Sequence, residues 1–194
     1  MVASRTQKTA SPSISTGVQP SSVSHRSKNS SSSILKSSFS PSRFQLNLFA
    51  SVIRGIDNEH LRIHDTSSGL LRNDYSLKSD ASITCLQWGR CPNEEGNHGT
   101  SNSRKRKRSK PSADPVLAFG TSLSEINFYS PQEAKIVGIL KNGHAQGIKD
   151  FKFVGDGLEG EAWSVGGDSK LVQWNLAKRS SVRSVWVTGC SVFH

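Results

Sequence analysis

The sequence predicts an all-β fold, and three observations support that prediction. From Ile34 onward, short runs of apolar and β-branched residues alternate with Gly, Asp, Asn and Ser, as is typical of strands joined by tight turns. Helical periodicity is nearly absent from the same region. A pattern of four short strands also recurs along the chain, which predicts a repeated structural unit rather than an irregular β domain.

The clearest unit occupies residues 143–187 and contains four strand-like runs. A turn signal, Gly167-Asp168-Ser169, separates the second run from the third. The predicted strands cover residues 148–154, 162–166, 170–176 and 181–187.

Two further copies of the pattern precede this unit. Placing Phe128 under Trp174, an offset of 46 residues, aligns residues 116–120 with residues 162–166. For the first copy, His64 is placed under Trp174, with residues 48–52 as the inner strand. The predicted units span about residues 33–78, 81–141 and 143–187.

Positive charge is concentrated outside the repeated units. The formal net charge is +10, yet the chain is formally neutral once residues 1–40 and 90–113 are set aside. Residues 1–32 are rich in Ser and poor in large apolar side chains, so we expect a disordered tail. Residues 90–113 are expected to form a disordered basic insertion in a surface loop between two strands of the second unit.

A run of adjacent cations lies inside that insertion. Such runs fit the acidic groove of a nuclear import receptor, and they also bind nucleic acid. The residues leave three interpretations open: a nuclear localisation signal, a direct contact with RNA or another polyanion, and a solvated loop. The cations are Arg104, Lys105, Arg106, Lys107, Arg108 and Lys110.

The third unit resembles a WD repeat. Gly143-His144 precedes its first strand and Trp174-Asn175 closes its third, with Asn in place of the usual final Asp. The resemblance implies an incomplete WD-repeat β-propeller of about three blades. It also implies a structural tetrad of polar side chains, formed by His144, Ser164, Asp168 and Trp174.

The chemistry of these four residues explains why they suit one network. The carboxylate of Asp168 can accept from the imidazole of His144, whose ring can bond the hydroxyl of Ser164, which can accept from the indole of Trp174. A Ser, a His and an Asp could also serve hydrolysis. Ser164, however, lies within a predicted strand without a nucleophile elbow, which favours the structural interpretation over catalysis.

The order of features along the chain resembles one family more closely. A degenerate first unit is followed by a Cys-Leu-Gln-Trp strand at residues 85–88, the basic insertion, Leu-Ala-Phe-Gly-Thr at residues 117–121, and the Gly-His to Trp-Asn unit. This order is similar to the N-terminal part of the nucleolar WD-repeat protein forty-three family, called U-three-associated protein five in fungi. The resemblance covers about residues 33–187.

The resemblance implies a function that the residues alone do not. Members of that family are scaffold subunits of the small-subunit processome and support the transcription of pre-rRNA and its processing to 18S rRNA. It therefore implies a nuclear, nucleolar protein whose partners are other processome proteins and pre-rRNA or the U3 ribonucleoprotein, directly or indirectly. The alternative is a generic nuclear WD-repeat adaptor for chromatin or ubiquitin-ligase assemblies.

The same resemblance carries an expectation about length. Family members have more blades and a helical C-terminal region, and closed propellers usually need about four to eight blades. Residues 188–194 follow no pattern, so we expect a truncated gene model or a fragment that is unstable or aggregation-prone alone.

Other classes of function find little support in the residues. The three cysteines, Cys85, Cys91 and Cys190, form no Cys-x-x-Cys pair, which favours a reducing compartment over a disulfide framework. A zinc site from Cys85, Cys91 and His98 would fit no usual ligand spacing. We expect no enzyme activity, cofactor, metal, small-molecule substrate or membrane insertion.

Overall fold

The computed structural model describes residues 33–77, 80–92 and 113–187. Within those ranges the chain forms three four-stranded antiparallel sheets and almost no helix. Each sheet consists of four consecutive strands in sequence order. The prediction of an all-β fold is confirmed, and the arrangement is consistent with a β-propeller-like fold.

The strands have the following bounds. The first sheet contains β1 (Ile34–Phe39), β2 (Leu48–Arg54), β3 (Glu59–Asp65) and β4 (Leu71–Ser76). The second sheet contains β5 (Ile83–Pro92), β6 (Ala113–Thr121), β7 (Ile126–Ser130) and β8 (Lys135–Leu140). The third sheet contains β9 (Ile148–Phe153), β10 (Glu161–Gly166), β11 (Lys170–Asn175) and β12 (Ser180–Trp186). Short 3₁₀ segments, Ser42–Phe44 and Val154–Gly157, lie in the β1–β2 and β9–β10 connections.

The sheets pack face to face, because alternate residues of each strand point to opposite sides. In β3, Leu61 and Ile63 are fully buried, whereas His60 and Arg62 are only partly buried. Between the first and second sheets lies a core whose largest members include Trp88, Phe119 and Tyr129. A second core lies between the second and third sheets and contains Phe128, Phe151 and Trp174.

The sheets lie at residues 34–76, 83–140 and 148–186, inside the three predicted units. The assignment of these units as propeller blades, and their number, stays a prediction. Residues 1–32 and 188–194, for which a tail and an unpatterned end are predicted, lie outside the described residues. In the described ranges, no helix has the length and apolar character needed to cross a membrane.

The inner strand of the first sheet differs from the prediction. The first strands of neighbouring sheets contact each other, β1 with β5 and β5 with β9, so the first strand is the inner one. Residues 48–52 belong to β2, which is the second strand, and β1 (Ile34–Phe39) occupies the inner position. The prediction that residues 48–52 are the inner strand is therefore wrong. Because β1 is largely exposed, its apolar pattern is weak.

The predicted alignment of Phe128 with Trp174 differs by one residue from the alignment that the structure shows. Trp174 follows a bulge in the β11–β12 pairing and faces the second sheet, which precedes it. In the second sheet, Tyr129 follows the corresponding bulge and faces the first sheet, whereas Phe128 faces the third. Since side chains alternate with a period of two, a shift of one residue changes the face. Tyr129, not Phe128, takes the structural position of Trp174.

The insertion is shorter than predicted at both ends. Residues 90–92 belong to β5, and Ala113 belongs to β6. Pro92 pairs with Ala113, so the regular ladder continues to the limit of the described residues. These positions lie within the range for which a disordered loop is predicted, and the burial of the Cys91 side chain favours the longer pairing.

Candidate functional site

Four segments of the third sheet bring the predicted tetrad together. His144 lies in the connection between β8 and β9, Ser164 lies in β10, Asp168 lies in the turn after β10, and Trp174 lies in β11. The fold brings three pairs into hydrogen-bonding contact. The residues of these pairs, His144–Ser164, Ser164–Trp174 and His144–Asp168, are 20, 10 and 24 positions apart in the sequence. The network therefore joins a loop, a turn and two strands.

The four side chains form one continuous chain of hydrogen bonds. The distance from Trp174 Nε1 to Ser164 Oγ is 2.7 Å, and that from Ser164 Oγ to His144 Nε2 is also 2.7 Å. His144 Nδ1 lies 3.0 Å from Asp168 Oδ1. The backbone N–H of Ala145 donates to the other carboxylate oxygen over 2.9 Å.

The chemistry of the two end groups sets the direction of donation. An indole N–H can only donate, and a carboxylate can only accept. With a neutral imidazole, Trp174 donates to Ser164, the hydroxyl donates to His144 Nε2, and His144 Nδ1–H donates to Asp168. Every side chain in the network then has a partner, which is the condition for a buried polar network to stabilise a fold.

Two glycines provide space for these side chains. A Cβ atom at Gly143 would overlap the indole of Trp174. A Cβ at Gly166 would overlap the imidazole of His144 and the carboxylate of Asp168. The glycine before His144 therefore has a packing role, which the sequence motif alone does not reveal.

The carboxyl group of Asp168 is held in its charged form. Burial acts to raise its pKa, but hydrogen bonds from the backbone N–H of Ala145, from His144 and from the backbone N–H of Lys170 outweigh that effect. The pKa of Asp168 is consequently lower than that of an ordinary aspartate. Ionised Asp168 thus favours the folded arrangement.

The network is closed to solvent. Ser164 is 1% exposed, and the side chain of His144 is 0% exposed. A nucleophilic serine must reach the carbonyl carbon of a substrate, and this hydroxyl is enclosed and already accepts from Trp174. The hydrogen bonds of this network fix the relative positions of two strands, a loop and a turn.

The first and second sheets carry different side chains at the corresponding positions. In the second sheet, Tyr129 takes the place of Trp174. Tyr129 pairs with Leu117 of β6, and Phe119, two residues after Leu117, takes the place of Ser164. In the first sheet, His64 takes the place of Trp174 and Ser51 takes the place of Ser164. The Nδ1 atom of His64 is buried and has no hydrogen-bond partner. Neither sheet repeats the Trp-Ser pair of the third.

Side chains that the sequence analysis did not identify link neighbouring sheets. The buried carboxylate of Glu59 in β3 accepts from the backbone N–H of Ile83 in β5 over 2.7 Å. Arg179, in the turn between β11 and β12, donates to the carbonyl oxygen of Val137 in β8 over 2.6 Å. These contacts depend on how sheets approach each other, so no local sequence signal indicates them.

The remaining predicted site lies outside the described residues. This is the basic run formed by Arg104, Lys105, Arg106, Lys107, Arg108 and Lys110. Cys85 and Cys91 are buried, and burial raises the pKa of the Cys85 thiol. Across the ranges that the structure describes, no group of three or more His, Cys, Asp or Glu side chains is placed to hold a metal ion.

Sheet packing and the buried network define a class: all-β proteins built from successive four-stranded antiparallel sheets in a propeller-like arrangement. The crystal structure of the computationally designed Ika8 protein is similar, with a TM-score of 0.50 and 15% sequence identity over 77% of this chain and 35% of that chain. This likeness concerns the fold. No protein-family model matches the chain.

Among curated proteins, the chain is similar to U3 small nucleolar RNA-associated protein 5 of Schizosaccharomyces pombe. The two are 29% identical over 101 residues, which make up 52% of this chain. The matched region spans 14% of the length of the relative. The similarity gives partial support to the family resemblance noted in the sequence.

Proposed function

We propose that the chain is a non-catalytic scaffold subunit of the small-subunit processome, acting in the nucleolus in ribosome biogenesis. In this role it supports the transcription of pre-rRNA and its processing to 18S rRNA. The observation that carries the proposal is the 29% identity to a yeast protein whose name associates it with U3 small nucleolar RNA. That observation favours the processome over a generic nuclear adaptor.

The proposal includes a WD-repeat β-propeller architecture. Three successive four-stranded sheets and the hydrogen-bonded set His144, Ser164, Asp168 and Trp174 support it. In this interpretation the four residues form the structural tetrad of the third blade. Scaffold proteins need surfaces held in fixed relation to one another, and a network that pins loop, turn and strands meets that need.

Absence of catalysis is part of the same proposal. The Ser-His-Asp order of the network could suggest hydrolysis, but Ser164 and His144 are enclosed in the sheet. A hydrolase also needs donors placed to stabilise an oxyanion next to an accessible nucleophile. The enclosed network supports a structural role instead.

The proposed partners are other processome proteins, pre-rRNA or the U3 ribonucleoprotein, and a nuclear import receptor. Affinity purification of the tagged chain from nuclear extract should recover U3 small nucleolar RNA and pre-rRNA. Treatment of the extract with ribonuclease separates protein contacts from contacts made through RNA. Recovery of histones or a ubiquitin-ligase core, without U3 RNA, would contradict the processome assignment.

A pair of tryptophan variants provides the matched control for this purification. Trp174→Ala removes a buried member of the network and should abolish recovery of U3 RNA. Trp186→Ala removes a tryptophan that is 61% exposed and should leave recovery unchanged. Equal recovery with both variants would show that the association does not depend on the folded sheets.

Nuclear import is tested on the basic run. Replacing Arg104, Lys105, Arg106, Lys107 and Arg108 with Ala should shift a fluorescent fusion of the chain from the nucleus to the cytoplasm. Replacing the separate cations Arg5, Lys8 and Lys28 with Ala is the control and should leave the distribution unchanged. A nuclear signal that persists in the first variant would exclude the run as the sole import signal.

A further inference from the structure

A small cavity opens between the first and second sheets, at the end where β6 begins and β7 ends. Its volume is about 180 Å³. The apolar part of its wall, for which we call it the proline pocket, consists of Leu46 and Leu48 on one side and Pro115 and Pro131 on the other. An apolar cavity of about 150 Å³ can hold a benzene ring. The proline pocket therefore suits one aromatic or branched aliphatic side chain.

The backbone fixes both walls of the proline pocket. Gln45 and Asn47 have left-handed conformations, with φ of 54° and 49°, so the chain turns sharply on either side of Leu46. The carbonyl oxygen of Asn47 accepts from the backbone N–H of Thr66 at 2.8 Å and from its hydroxyl at 3.0 Å. On the opposite wall, the pyrrolidine ring of each proline restricts its own φ. A pre-formed pocket of this kind loses little conformational entropy when a ligand enters.

A bulge in β4 brings a cation to the rim of the proline pocket. Leu71 pairs with His64 and Asn73 pairs with Ile63, so Arg72 is the extra residue between two regular pairs. Bulges of this kind redirect a side chain away from the regular alternation of the strand. Among the described residues that line the pocket, Arg72 is the one with a charged side chain. The rim is therefore complementary to an anion.

The guanidinium of Arg72 is available for such an anion. Within the described parts of the chain, no side-chain hydrogen bond or ion pair joins Arg72 to another residue. The carboxylate of Asp65 lies within the electrostatic influence of Arg72, but it already accepts from the backbone N–H groups of Ser67 at 2.8 Å and Ser68 at 3.1 Å. An arginine in this setting can bind a carboxylate through two parallel hydrogen bonds.

The lining favours a peptide over RNA. Proteins that read single-stranded RNA usually stack its bases on aromatic side chains, and no aromatic side chain is found among the described residues that line the pocket. A nucleobase would also place polar edges against leucine and proline, where they would lack hydrogen-bond partners. An apolar side chain has no such cost. The ligand class that matches both the cavity and Arg72 is thus a peptide with an apolar residue next to a carboxylate.

We propose that the proline pocket binds a short acidic segment of a partner protein, in which one aromatic or branched aliphatic side chain fills the cavity and a neighbouring Asp or Glu pairs with Arg72. The inference rests on the proposed scaffold function for the statement that the partners are proteins. In this sequence, no segment outside the described residues combines a carboxylate with a large apolar side chain. Residues 93–112, for example, contain two Glu but no large apolar residue.

Fluorescence anisotropy of labelled peptide pools with the purified 194-residue chain tests the proposal. In the first pool, a central Leu, Phe or Trp is flanked by Asp and Glu, and we expect saturable binding at micromolar concentration. The second pool has the same central residues flanked by Lys and Arg. The third has Ser or Gly between Asp and Glu, and it measures the background from the basic run. The second and third pools should each bind roughly tenfold more weakly than the first, or worse.

Charge reversal provides matched variants. Arg72→Glu should weaken binding of the first pool by roughly tenfold or more, because the ion pair is lost and the new carboxylate repels the peptide. Lys149→Glu makes the same change in net charge at an exposed residue of β9 outside the proline pocket, and it should leave binding unchanged. Both substituted positions are exposed, so circular dichroism should show both variants folded.

Four outcomes would overturn the proposal. These are failure of the first pool to bind, equal binding of the first and third pools, an equal loss in both variants, and Arg72-dependent binding of a short oligouridylate without binding of the first pool. Loss of peptide binding in a longer form of the polypeptide would replace the partner protein by a segment of the same chain. Recovery of U3 RNA is measured separately, so failure of this inference can be distinguished from failure of the processome assignment.

Discussion

The third and first sheets differ in whether the buried polar atom at one equivalent position is hydrogen-bonded. In the third sheet that position holds Trp174, whose indole donates to Ser164 in a network that continues through His144 to Asp168. In the first sheet it holds His64, whose Nδ1 is buried without a partner. Buried polar atoms stabilise a fold when they are hydrogen-bonded and destabilise it when they are not. The third sheet should therefore resist unfolding more strongly than the first.

The second sheet shows a further solution at the same position. Tyr129 and Phe119 replace the Trp-Ser pair and pack in the core between the first two sheets. Burial raises the pKa of the Tyr129 phenol above its usual range. A core position can thus be filled by apolar surface or by a complete polar network, and the comparison of the first and third sheets can be tested by breaking each.

The largest effect is expected for Trp174→Ala. Loss of this buried ring leaves a cavity between the second and third sheets and removes the donor to Ser164, at a cost of about 3–5 kcal/mol. The measurement is the free energy of unfolding from urea titration. His64→Ala in the first sheet is the matched variant, with an expected cost below about 1 kcal/mol. Equal costs would contradict the difference between the two sheets.

A smaller loss is expected for Ser164→Ala. The substitution removes the central hydroxyl, so Trp174 Nε1 and His144 Nε2 both lose their partner inside the sheet. The expected cost is about 1–3 kcal/mol, typical of buried polar groups left without a hydrogen bond. Ser184→Ala, at an exposed position of β12, serves as the control and should change stability by less than about 0.5 kcal/mol.

A pH-dependent effect is expected for Asp168→Asn. Since the folded state lowers the pKa of Asp168, the ionised group stabilises the fold above the unfolded-state value of about 4. That stabilisation is lost as the pH falls through the lower pKa of the folded state. The variant should be about 1 kcal/mol less stable than the wild type at pH 7, and the difference should shrink in acid. A difference that is independent of pH would show that the charge of Asp168 does not contribute.

The smallest effect is expected for His64→Leu. The substitution removes the unpartnered Nδ1 atom and introduces an apolar side chain of similar volume. The free energy of unfolding should therefore stay within about 1 kcal/mol of the wild-type value or rise slightly. Thermal unfolding followed by circular dichroism is sufficient to detect the sign. A loss of several kcal/mol would mean that His64 has a polar role equivalent to that of Trp174.

The hydrogen bonds among His144, Ser164, Asp168 and Trp174 could be anticipated because the resemblance to a WD repeat implies that these residues form one network. Their side chains also supply matching donors and acceptors. The position of Tyr129 could not be predicted, because a repeat offset does not reveal where a bulge displaces the strand by one residue.

The inner strand and the links between sheets could not be predicted either. The exposed strand Ile34–Phe39 has little apolar alternation, so nothing in its sequence marks it as the innermost strand. The bond from Ile83 to Glu59 depends on the approach of two sheets rather than on any local pattern. Long-range geometry of this kind is decided by packing, which short sequence windows do not describe.

Hydrogen exchange of the four indole N–H groups, followed by nuclear magnetic resonance, tests the central claim most directly. The claim is that the indole of Trp174 is enclosed in a complete polar network that fixes the third sheet. We expect the Trp174 indole proton to exchange far more slowly than that of the exposed Trp186, and Ser164→Ala to accelerate it selectively. Exchange of Trp174 as fast as that of Trp186 in the wild-type chain would contradict the claim.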